Sequence, residues 1–250
     1  MGLAFVERTG SGKLVPEWEA LAAELPRYGY DVQRFRAKEL TRRRLSLLPD
    51  TPVAGQITSV QEALRQLGIA PPAPLDYPES LRPYLKRRIW ISTIEEITQR
   101  AWDDGPAVFV KPASRQKRFT GFVLDGPDTL WQFESTGQKQ QVWCSAPVRF
   151  LSEWRGFVTN GTLIGLHIYT GDEDRCPDAA QVTEMIAVYS QHGAPAGYSI
   201  DIGILDTYET ALIEVNDGFG LGKYGLSNAL YTDLILARWQ ELTNSIGTVQ

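Results

Sequence analysis

The sequence contains few of the residues that build metal–sulfur centres. Among its 250 residues there are two cysteines and two histidines. Cys144 and Cys176 lie far apart in the sequence and outside any metal-ligand spacing, so neither is predicted to belong to a zinc site. We expect both to be reduced thiols in a cytoplasmic protein.

Long apolar runs and an excess of positive charge are also lacking. The longest apolar stretches have the length of a β-strand, which is far short of a membrane-spanning helix. Residues 1–8 do not show the pattern of a signal peptide. The formal net charge is −5, which does not indicate a general affinity for nucleic acid. With 43% hydrophobic residues, the composition predicts one large globular domain or two closely packed ones.

Several common catalytic motifs are absent. The segment 10–13, Gly-Ser-Gly-Lys, resembles part of a P-loop, but Glu7 stands where the first glycine is required and Leu14 where serine or threonine is required. The sequence also contains no nucleophile elbow and no dinucleotide-binding fingerprint. We therefore expect neither a P-loop enzyme nor a serine hydrolase.

The first 84 residues alternate between predicted strands and helices. Strands are predicted over residues 3–6, 29–35 and 52–57, and helices over 16–25, 37–48 and 59–67. This alternation favours a small α/β layer with a parallel sheet. Residues 70–83 hold five prolines and are predicted to form a linker. We therefore place an N-terminal subdomain over residues 1–84.

From residue 85 onward the sequence predicts mainly antiparallel strands. Residues 85–102 are predicted to be helical. The expected strands cover residues 107–111, 120–124, 129–133, 141–144, 154–159 and 162–169. Further helices are expected over 179–192 and 227–242. The predicted fold class is α+β, with an α/β N-terminal layer, an antiparallel-rich body and a cleft between layers.

Near the C-terminus, two apolar strands joined by a four-residue polar turn predict a β-hairpin. A symmetric turn pairs Leu205 with Thr210 and therefore Asp201 with Glu214, and Asn216 points to the same face because strand side chains alternate. Opposed like charges repel each other. Three converging oxygen-bearing side chains therefore indicate a hard cation. The alternative is a solvated hairpin face, and a turn of odd length would separate the two acids.

A second candidate site follows the apolar strand that ends at Lys111. The loop after it carries Arg115, Lys117 and Arg118 and leads to a further strand beginning near Gly121. Lysine as a point charge and arginine as a bidentate donor could hold a polyphosphate. The alternative is a solvated basic hairpin tip. The strand position of Lys111 favours the functional interpretation.

Glu153 and Arg155 open another strand and alternate onto one of its faces. An arginine that faces a cleft containing acids and a metal suits a phosphate or an acyl phosphate. The alternative interpretation is an ion pair on the surface.

One histidine lies on the strand that returns from this segment. If Asn160-Gly161 forms a two-residue hairpin turn, His167 pairs with Trp154 and points away from Arg155. A structural role is therefore predicted for this histidine.

These residues occur in an order that resembles the ATP-grasp superfamily. The set is Lys111, Glu153-x-Arg155, Asp201 and Glu214-x-Asn216. In that family an aspartate on one strand and Glu-x-Asn on the next form the metal triad. The segment from Glu214 through Gly225 resembles the clade named for two arginines and a lysine. The likeness covers residues 85–230, and the α/β layer before it fits the usual N-terminal subdomain.

The resemblance implies a role for each residue of the set. Lys111 contacts the phosphates, Lys117 lies in the flexible phosphate loop, and Arg155 contacts transferred phosphate or substrate. The segment 141–145 stands where the adenine hinge is expected, about ten residues before a glutamate that binds the ribose. The implied nucleotide-binding residues are Lys111, Lys117, Trp143, Cys144, Ser145 and Glu153. The implied ligands of one or two Mg²⁺ ions are Asp201, Glu214 and Asn216. His167, Arg175 and Lys223 are further candidates to line the site.

The resemblance also implies an activity and a division of the chain. The expected reaction joins a small-molecule or peptide carboxylate to an amine, with ATP and Mg²⁺, through an acyl phosphate. The alternatives are a kinase or another phosphotransferase, and a non-catalytic nucleotide-binding module, which would have a broken metal set. The expected domain covers residues 85–250, with a phosphate-binding part over 85–143 and a metal-binding part over 144–250. No membrane contact is expected.

Overall fold

Three β-sheets carry the fold of the residues that this computed structural model describes, which are 2–12, 14–113, 119–134 and 136–244. The strands are β1 (Gly2–Glu7), β2 (Tyr30–Phe35), β3 (Val53–Ala54), β4 (Ile89–Thr93), β5 (Val108–Pro112), β6 (Phe122–Leu124), β7 (Gln141–Ser145), β8 (Phe150–Thr159), β9 (Thr162–Gly171), β10 (Gly197–Leu205) and β11 (Thr210–Asp217). The α-helices are α1 (Pro16–Glu24), α2 (Ala37–Thr41), α3 (Ile57–Gln66), α4 (Ile94–Trp102), α5 (Ala179–Gln191) and α6 (Asn228–Asn244). Among the described helices, none is long and apolar enough to cross a membrane.

The N-terminal sheet is parallel, as the strand–helix alternation predicted. Its order is β2-β1-β3, and α1 packs between this layer and α6. Two of the predicted elements are shorter than expected: α2 ends at Thr41, and β3 consists of Val53 and Ala54 alone. Three exposed arginines follow Thr41 and offer no apolar face that could pack on the core. Helix α2 is therefore not stabilised beyond Thr41.

The second sheet is antiparallel, with the order β4-β7-β5-β6. The predicted helix over 85–102 is wrong in its first half, where β4 forms and α4 begins only after Thr93. Thr93 is the N-cap of α4, and its side chain accepts a hydrogen bond from the Glu96 backbone while the Glu96 carboxylate accepts one from Thr93. The predicted strand over 129–133 is also wrong. Pro127–Phe133 is a 3₁₀ helix that starts after Gly126.

The central sheet is antiparallel, with the order β11-β10-β8-β9. Every residue of β10 is buried. Tyr198 and Ile200 pack with α5 residues such as Met185 on one side, and Phe157 of β8 packs with α6 residues such as Leu234 on the other. Together with the parallel layer, the two antiparallel sheets confirm the predicted α+β class.

The hairpin of β10 and β11 brings Asp201 opposite Glu214, but not by the expected register. The turn is one residue longer than a symmetric turn, so that Ile204 pairs with Thr210. A β-bulge at Ile213 adds one residue to β11 and restores the pairing of the two acids. The longer turn shifts the register by one residue and the bulge shifts it back, so the two deviations from the expected pairing cancel.

The hairpin of β8 and β9 contradicts the predicted position of His167. The Asn160–Gly161 turn is tight, as expected, but a bulge after Phe157 shifts the register. His167 therefore pairs with Arg155 rather than with Trp154, and it lies on the face that was predicted to exclude it. Its ring packs at 6.2 Å from the Phe157 ring.

The proline-rich linker contacts the central sheet at its edge strand β11 before it reaches β4. The backbone oxygen of Asp76 accepts a hydrogen bond of 2.8 Å from the Val215 amide of β11. The 3₁₀ helix Glu79–Leu85 follows and buries Leu81 and Leu85 against the sheet. The linker thus joins the N-terminal layer to both antiparallel sheets.

Candidate functional site

A cleft of about 990 Å³ lies between the second and central sheets. One side is formed by β5, β6 and the β7–β8 loop, and the other by β8 and β11. The linker and the start of α3 line the remaining wall. Six of the residues that the sequence singled out line the cleft, namely Lys111, Ser145, Glu153, Arg155, Glu214 and Asn216.

Lys111 is held at this cleft by two carboxylates from different parts of the chain. Its Nζ lies 2.6 Å from Oε2 of Glu214 on β11 and 2.7 Å from Oδ1 of Asp76 in the linker. The Tyr77 ring lies beneath the ammonium at 4.4 Å. Burial is the largest influence and disfavours the charged lysine, but the combined effects of Glu214, Tyr77 and Asp76 outweigh it and raise the pKa of Lys111 above its usual value.

The same ion pair shifts the pKa of Glu214 in the opposite direction. Burial is the largest influence and disfavours its ionised form, but the Lys111 ammonium, together with Asn216 and Arg155, outweighs burial and holds the pKa of Glu214 below its usual value. The Glu214 side chain lines the cleft. The carboxylate is therefore ionised and accessible, as a metal ligand must be.

Arg155 and Asp201 form a bidentate pair within the central sheet. The arginine Nε lies 2.7 Å from Oδ1 and Nη2 lies 2.6 Å from Oδ2. Arg155 faces the cleft under the ring of Tyr224, at 5.0 Å, whereas Asp201 is 2% exposed and lies behind the lining residues. Burial raises the pKa of Asp201, and the hydrogen bonds from Arg155 oppose that shift.

Asn216 connects the two carboxylates. It lines the cleft from β11, and its Nδ2 donates to Oδ2 of Asp201 at 3.1 Å. Among the described residues, no group of three or more His, Cys, Asp or Glu side chains forms a metal site. Two carboxylates and one amide oxygen on neighbouring strands nevertheless fit a hard cation such as Mg²⁺. In this structure the arginine and the lysine neutralise those carboxylates.

Glu153 lines the cleft near the end of the β7–β8 loop. Its Oε2 accepts a hydrogen bond of 2.8 Å from the hydroxyl of Tyr169 on β9. This bond fixes the carboxylate and leaves its other oxygen to accept from a ligand hydroxyl.

The three residues of the expected hinge segment have different positions. Ser145 lines the cleft, and the four residues that follow it also do. Cys144 is 1% exposed in the core under the second sheet, where burial raises its pKa to about 11. Trp143 does not line the cleft and donates from Nε1 to Oδ2 of Asp76 at 3.1 Å. The cleft wall is thus formed by residues 145–149.

The basic loop after β5 lies mostly outside the described residues. Arg115, Lys117 and Arg118 belong to that part of the chain, so their predicted contact with phosphate stays a prediction. Pro112 and Phe119, which are described on either side of it, line the cleft.

Three further candidates do not line the cleft. Nζ of Lys223 donates to the Leu226 backbone, and the guanidinium of Arg175 lies over the Tyr208 ring at 4.9 Å. His167 faces Gly225 and Phe157. The sequence left open whether these three side chains line the site, and none of them lines the cleft in the part of the chain that the structure describes.

The sequence analysis missed four charged residues of the cleft, Asp76, Arg87, Arg149 and Asp217, of which the first two make the most informative contacts. Asp76 lies in the linker and makes the contacts to Lys111 and Trp143 described above. Arg87 lines the cleft and donates to the carbonyls of Leu212 and Ile213, where the bulge interrupts the strand ladder. In the sequence, Asp76 was marked only by an acid–tyrosine pair inside a proline-rich segment, and Arg87 only by a basic run before β4.

Comparison with solved structures shows a similar overall fold. The D-alanine–D-alanine ligase of Bacillus anthracis complexed with ATP matches with a TM-score of 0.59 and 14% identity, over 98% of this chain and 97% of that one. The N5-carboxyaminoimidazole synthetase of Staphylococcus aureus complexed with ADP matches with a TM-score of 0.62 and 11% identity, over 96% and 78%. The macrocyclase MdnC of Microcystis aeruginosa MRC, bound with the precursor peptide MdnA, matches with a TM-score of 0.53 and 10% identity, over 98% and 100%.

Comparison of the sequence itself identifies the family. No curated protein matches the chain at a significant level. A family model of the ATP-grasp domain, family 2 of the clade named for two arginines and a lysine, matches residues 84–234, which is more than half of the chain. That range contains the strands that carry Lys111, Arg155, Asp201 and Glu214, and the resemblance seen in the sequence is confirmed. The chain belongs to this second family of the two-arginine, one-lysine clade of ATP-grasp domains.

Proposed function

We propose that the protein is an ATP- and Mg²⁺-dependent ligase that joins a carboxylate to an amine through an acyl phosphate. The observation that carries the proposal is the convergence of Lys111 and Arg155 on Glu214 and Asp201 at one cleft. This arrangement provides positive charge for phosphate and oxygen ligands for a divalent cation in the same place.

Each side of the cleft has a proposed role in holding the nucleotide. Lys111 binds the α- and β-phosphates and Glu153 binds the ribose hydroxyls, and the phosphate contact of Lys117 stays a prediction from the sequence. The adenine lies against Ser145 and the following loop. Trp143 and Cys144 support that wall from β7 without touching the base. The apolar side chains of Phe109, Val148 and Phe150, which line the cleft, provide a surface for a flat ring.

The metal site is proposed at Asp201, Glu214 and Asn216. A bound Mg²⁺ ion would neutralise charge on the transferred phosphoryl group. For all three ligands to be used, Arg155 has to give up part of its contact with Asp201, and Lys111 part of its contact with Glu214. Both cations would then be directed towards phosphate oxygens.

The reaction is proposed to occur in two steps. The substrate carboxylate attacks the γ-phosphorus of ATP, which forms an acyl phosphate and releases ADP. The amine then attacks the acyl carbon, an amide forms, and inorganic phosphate leaves with the electron pair of the broken C–O bond. Arg155 stabilises negative charge on the acyl phosphate. Among the described residues that line the cleft there is no histidine or cysteine, which suits catalysis by positioning and charge.

The similar structures support this class of reaction without identifying the substrates. Their names include a D-alanine–D-alanine ligase and a macrocyclase bound with a precursor peptide. Small-molecule and peptide substrates are both consistent with the size of the cleft. The free thiols of Cys144 and Cys176 agree with the cytoplasmic location that the sequence predicts.

A kinase is the second candidate because His167 lies on the same face of the sheet as Arg155. A phosphoryl group could be accepted by a histidine in that position. His167 does not line the cleft, however, so the ligase is favoured.

The test is product analysis after incubation with ATP, Mg²⁺ and pools of amino acids and short peptides. A ligase forms ADP and a new amide mass in equal amounts, and the Glu214→Gln variant serves as the matched inactive control. ADP formed together with a phosphorylated product would identify a kinase. Nucleotide binding without turnover in any pool would identify a binding module.

A further inference from the structure

Gln61 lines the cleft, and its side-chain amide is not used by the fold. It lies one turn after Ile57 on α3, and both side chains line the cleft. Gln61 is only 7% exposed, and its amide has no hydrogen-bond partner among the described residues. By contrast, Gln66 on the same helix donates to the Leu40 carbonyl at 2.8 Å. The two glutamines therefore differ in whether the fold uses their amide groups.

The amide atoms of Gln61 are not among the fully buried, unpaired polar atoms of the described residues, so water in the cleft can satisfy them until a ligand takes its place. Burial of an amide without a hydrogen bond costs free energy, which is why buried polar side chains are nearly always paired. The site opens to the cleft, so a ligand can supply both a donor and an acceptor. Gln61 is thus available for recognition without loss of a structural contact.

The loop after the metal-binding strand fixes this part of α3 beside the reaction site. A Cβ atom added at Gly220 would lie 2.5 Å from Cγ1 of Ile57, so the loop backbone rests directly on the helix. Phe219 is buried with Val60 and Leu64 of the helix. Only a few residues separate this contact from Asn216. The start of α3, which carries Gln61, therefore packs against the loop that follows β11.

The wall around Gln61 is apolar, and its described residues offer no unpaired charge. The start of α3 and the linker contribute uncharged residues up to Asp76, whose carboxylate is taken by Lys111 and Trp143. The first turn of α3 is no anion site either, because the Glu7 carboxylate already accepts from the Gln56 amide at 2.8 Å. The apolar residues of this wall are Ile57, Pro72, Pro74, Leu75, Phe219 and Leu221.

We propose that Gln61 and this apolar wall bind the non-reacting part of the carboxylate substrate, and that this part is an uncharged apolar group attached through a peptide-type amide. The inference rests on the proposed ligase function, because it assigns the substrate end of the same cleft. Nε2 of Gln61 donates a hydrogen bond to the carbonyl oxygen of that amide. The apolar group fills the space between the linker and Phe219.

The test compares three small carboxylates as probes of the unmodified protein, with and without ADP and Mg²⁺. N-acetyl-L-leucine has the amide and the apolar group, 4-methylpentanoate lacks the amide, and N-acetyl-L-aspartate replaces the apolar group by a charge. Dissociation constants are measured by NMR titration. We expect N-acetyl-L-leucine to bind about tenfold more tightly than either of the others, because one hydrogen bond or one desolvated charge is worth at least that factor.

Two variants locate the effect. Gln61→Met keeps the length of the side chain and removes the amide, and it should weaken N-acetyl-L-leucine binding about tenfold while leaving 4-methylpentanoate binding unchanged. Arg65→Met is the matched control, since Arg65 is exposed one turn further along α3 and does not line the cleft. Thermal unfolding reports whether each variant folds, and the three-probe comparison remains decisive if Gln61→Met does not.

Three results would overturn the inference. They are equal binding of N-acetyl-L-aspartate and N-acetyl-L-leucine, unchanged binding in Gln61→Met, and no binding of N-acetyl-L-leucine up to about 10 mM. Failure of ADP to bind would instead contradict the proposed function. The three probes are also compared without nucleotide, so the inference is tested whether or not ADP binds.

Discussion

Two of the ion pairs at the cleft are built in different ways. Asp201 and Arg155 lie opposite each other on neighbouring strands of one sheet, and their contact is bidentate. Lys111 belongs to the second sheet, and its two carboxylate partners come from the linker and from the central sheet. The first pair needs only one sheet, whereas the second needs three parts of the chain to come together.

The Arg155–Asp201 pair is therefore preorganised, whereas the contact between Lys111 and Glu214 depends on how the two sheets are placed. A change in the angle between the two sheets leaves the Arg155–Asp201 pair intact but alters the distance from Lys111 to Glu214. The Glu214 side chain is 28% exposed and that of Asp201 is 3% exposed. We therefore expect changes at Glu214 to affect mainly the reaction, and changes at Asp201 to affect the fold as well as the reaction.

The largest effect is expected for Glu214→Gln. The substitution keeps the shape of the side chain and removes the charge of a proposed metal ligand, so ADP-forming turnover should fall about a hundred- to a thousandfold. The free energy of unfolding should change little because the side chain is partly hydrated. Turnover and urea unfolding measure the two quantities. Full activity in this variant would refute the metal assignment.

The next effect is expected for Asp201→Asn. The substitution leaves the Arg155 guanidinium without a counter-charge in a largely buried position, so the free energy of unfolding should fall by about 3 kcal/mol. Ser199→Ala is the matched control, because Ser199 lies on the same strand and its buried hydroxyl has no hydrogen-bond partner among the described residues. Urea unfolding of both variants checks the prediction. An equal loss in the two would show that the pair is not responsible.

A smaller effect is expected for Asp76→Asn. Lys111 loses one of its two carboxylate anchors, so the affinity for ADP should fall about fivefold while the fold is kept. The control is Glu79→Gln, an exposed position further along the same segment that pairs with Arg82. Calorimetric titration with ADP measures the change. Unchanged affinity in Asp76→Asn would mean that Glu214 alone positions the lysine.

The smallest effect is expected outside both pairs, at Cys144. This thiol is buried in the core, and burial raises its pKa to about 11, so alkylation at pH 8 should modify only the exposed Cys176. ADP affinity should be unchanged by that modification. Mass spectrometry identifies the modified residue. Labelling of Cys144 that ADP prevents would instead place its thiol in the cleft.

Much of the site could be predicted from the sequence because its residues lie on regular strands. The alternation of side chains placed Asp201, Glu214 and Asn216 on one face, and the end of an apolar strand identified Lys111. The exact registers could not be predicted, since β-bulges at Ile213 and after Phe157 depend on tertiary packing. One bulge preserved the expected pairing of the acids, and the other reversed the expected face of His167.

The contacts of the linker could not be predicted from local patterns. Asp76 reaches Lys111 across 35 residues, and Lys111 reaches Glu214 across 103. No periodicity spans such distances. The helical signal over 85–102 likewise gave no warning that its first part would pair with β7. These elements are set by the packing of the sheets rather than by local preference.

The most direct test of the account is a crystal structure of the protein with a non-hydrolysable ATP analogue and Mg²⁺. We predict the triphosphate on Lys111, the ribose on Glu153, and the metal on Asp201, Glu214 and Asn216, with Asp201 released in part from Arg155. We also predict the adenine against the loop after Ser145. A nucleotide bound elsewhere, or a metal held by none of these side chains, would contradict the account.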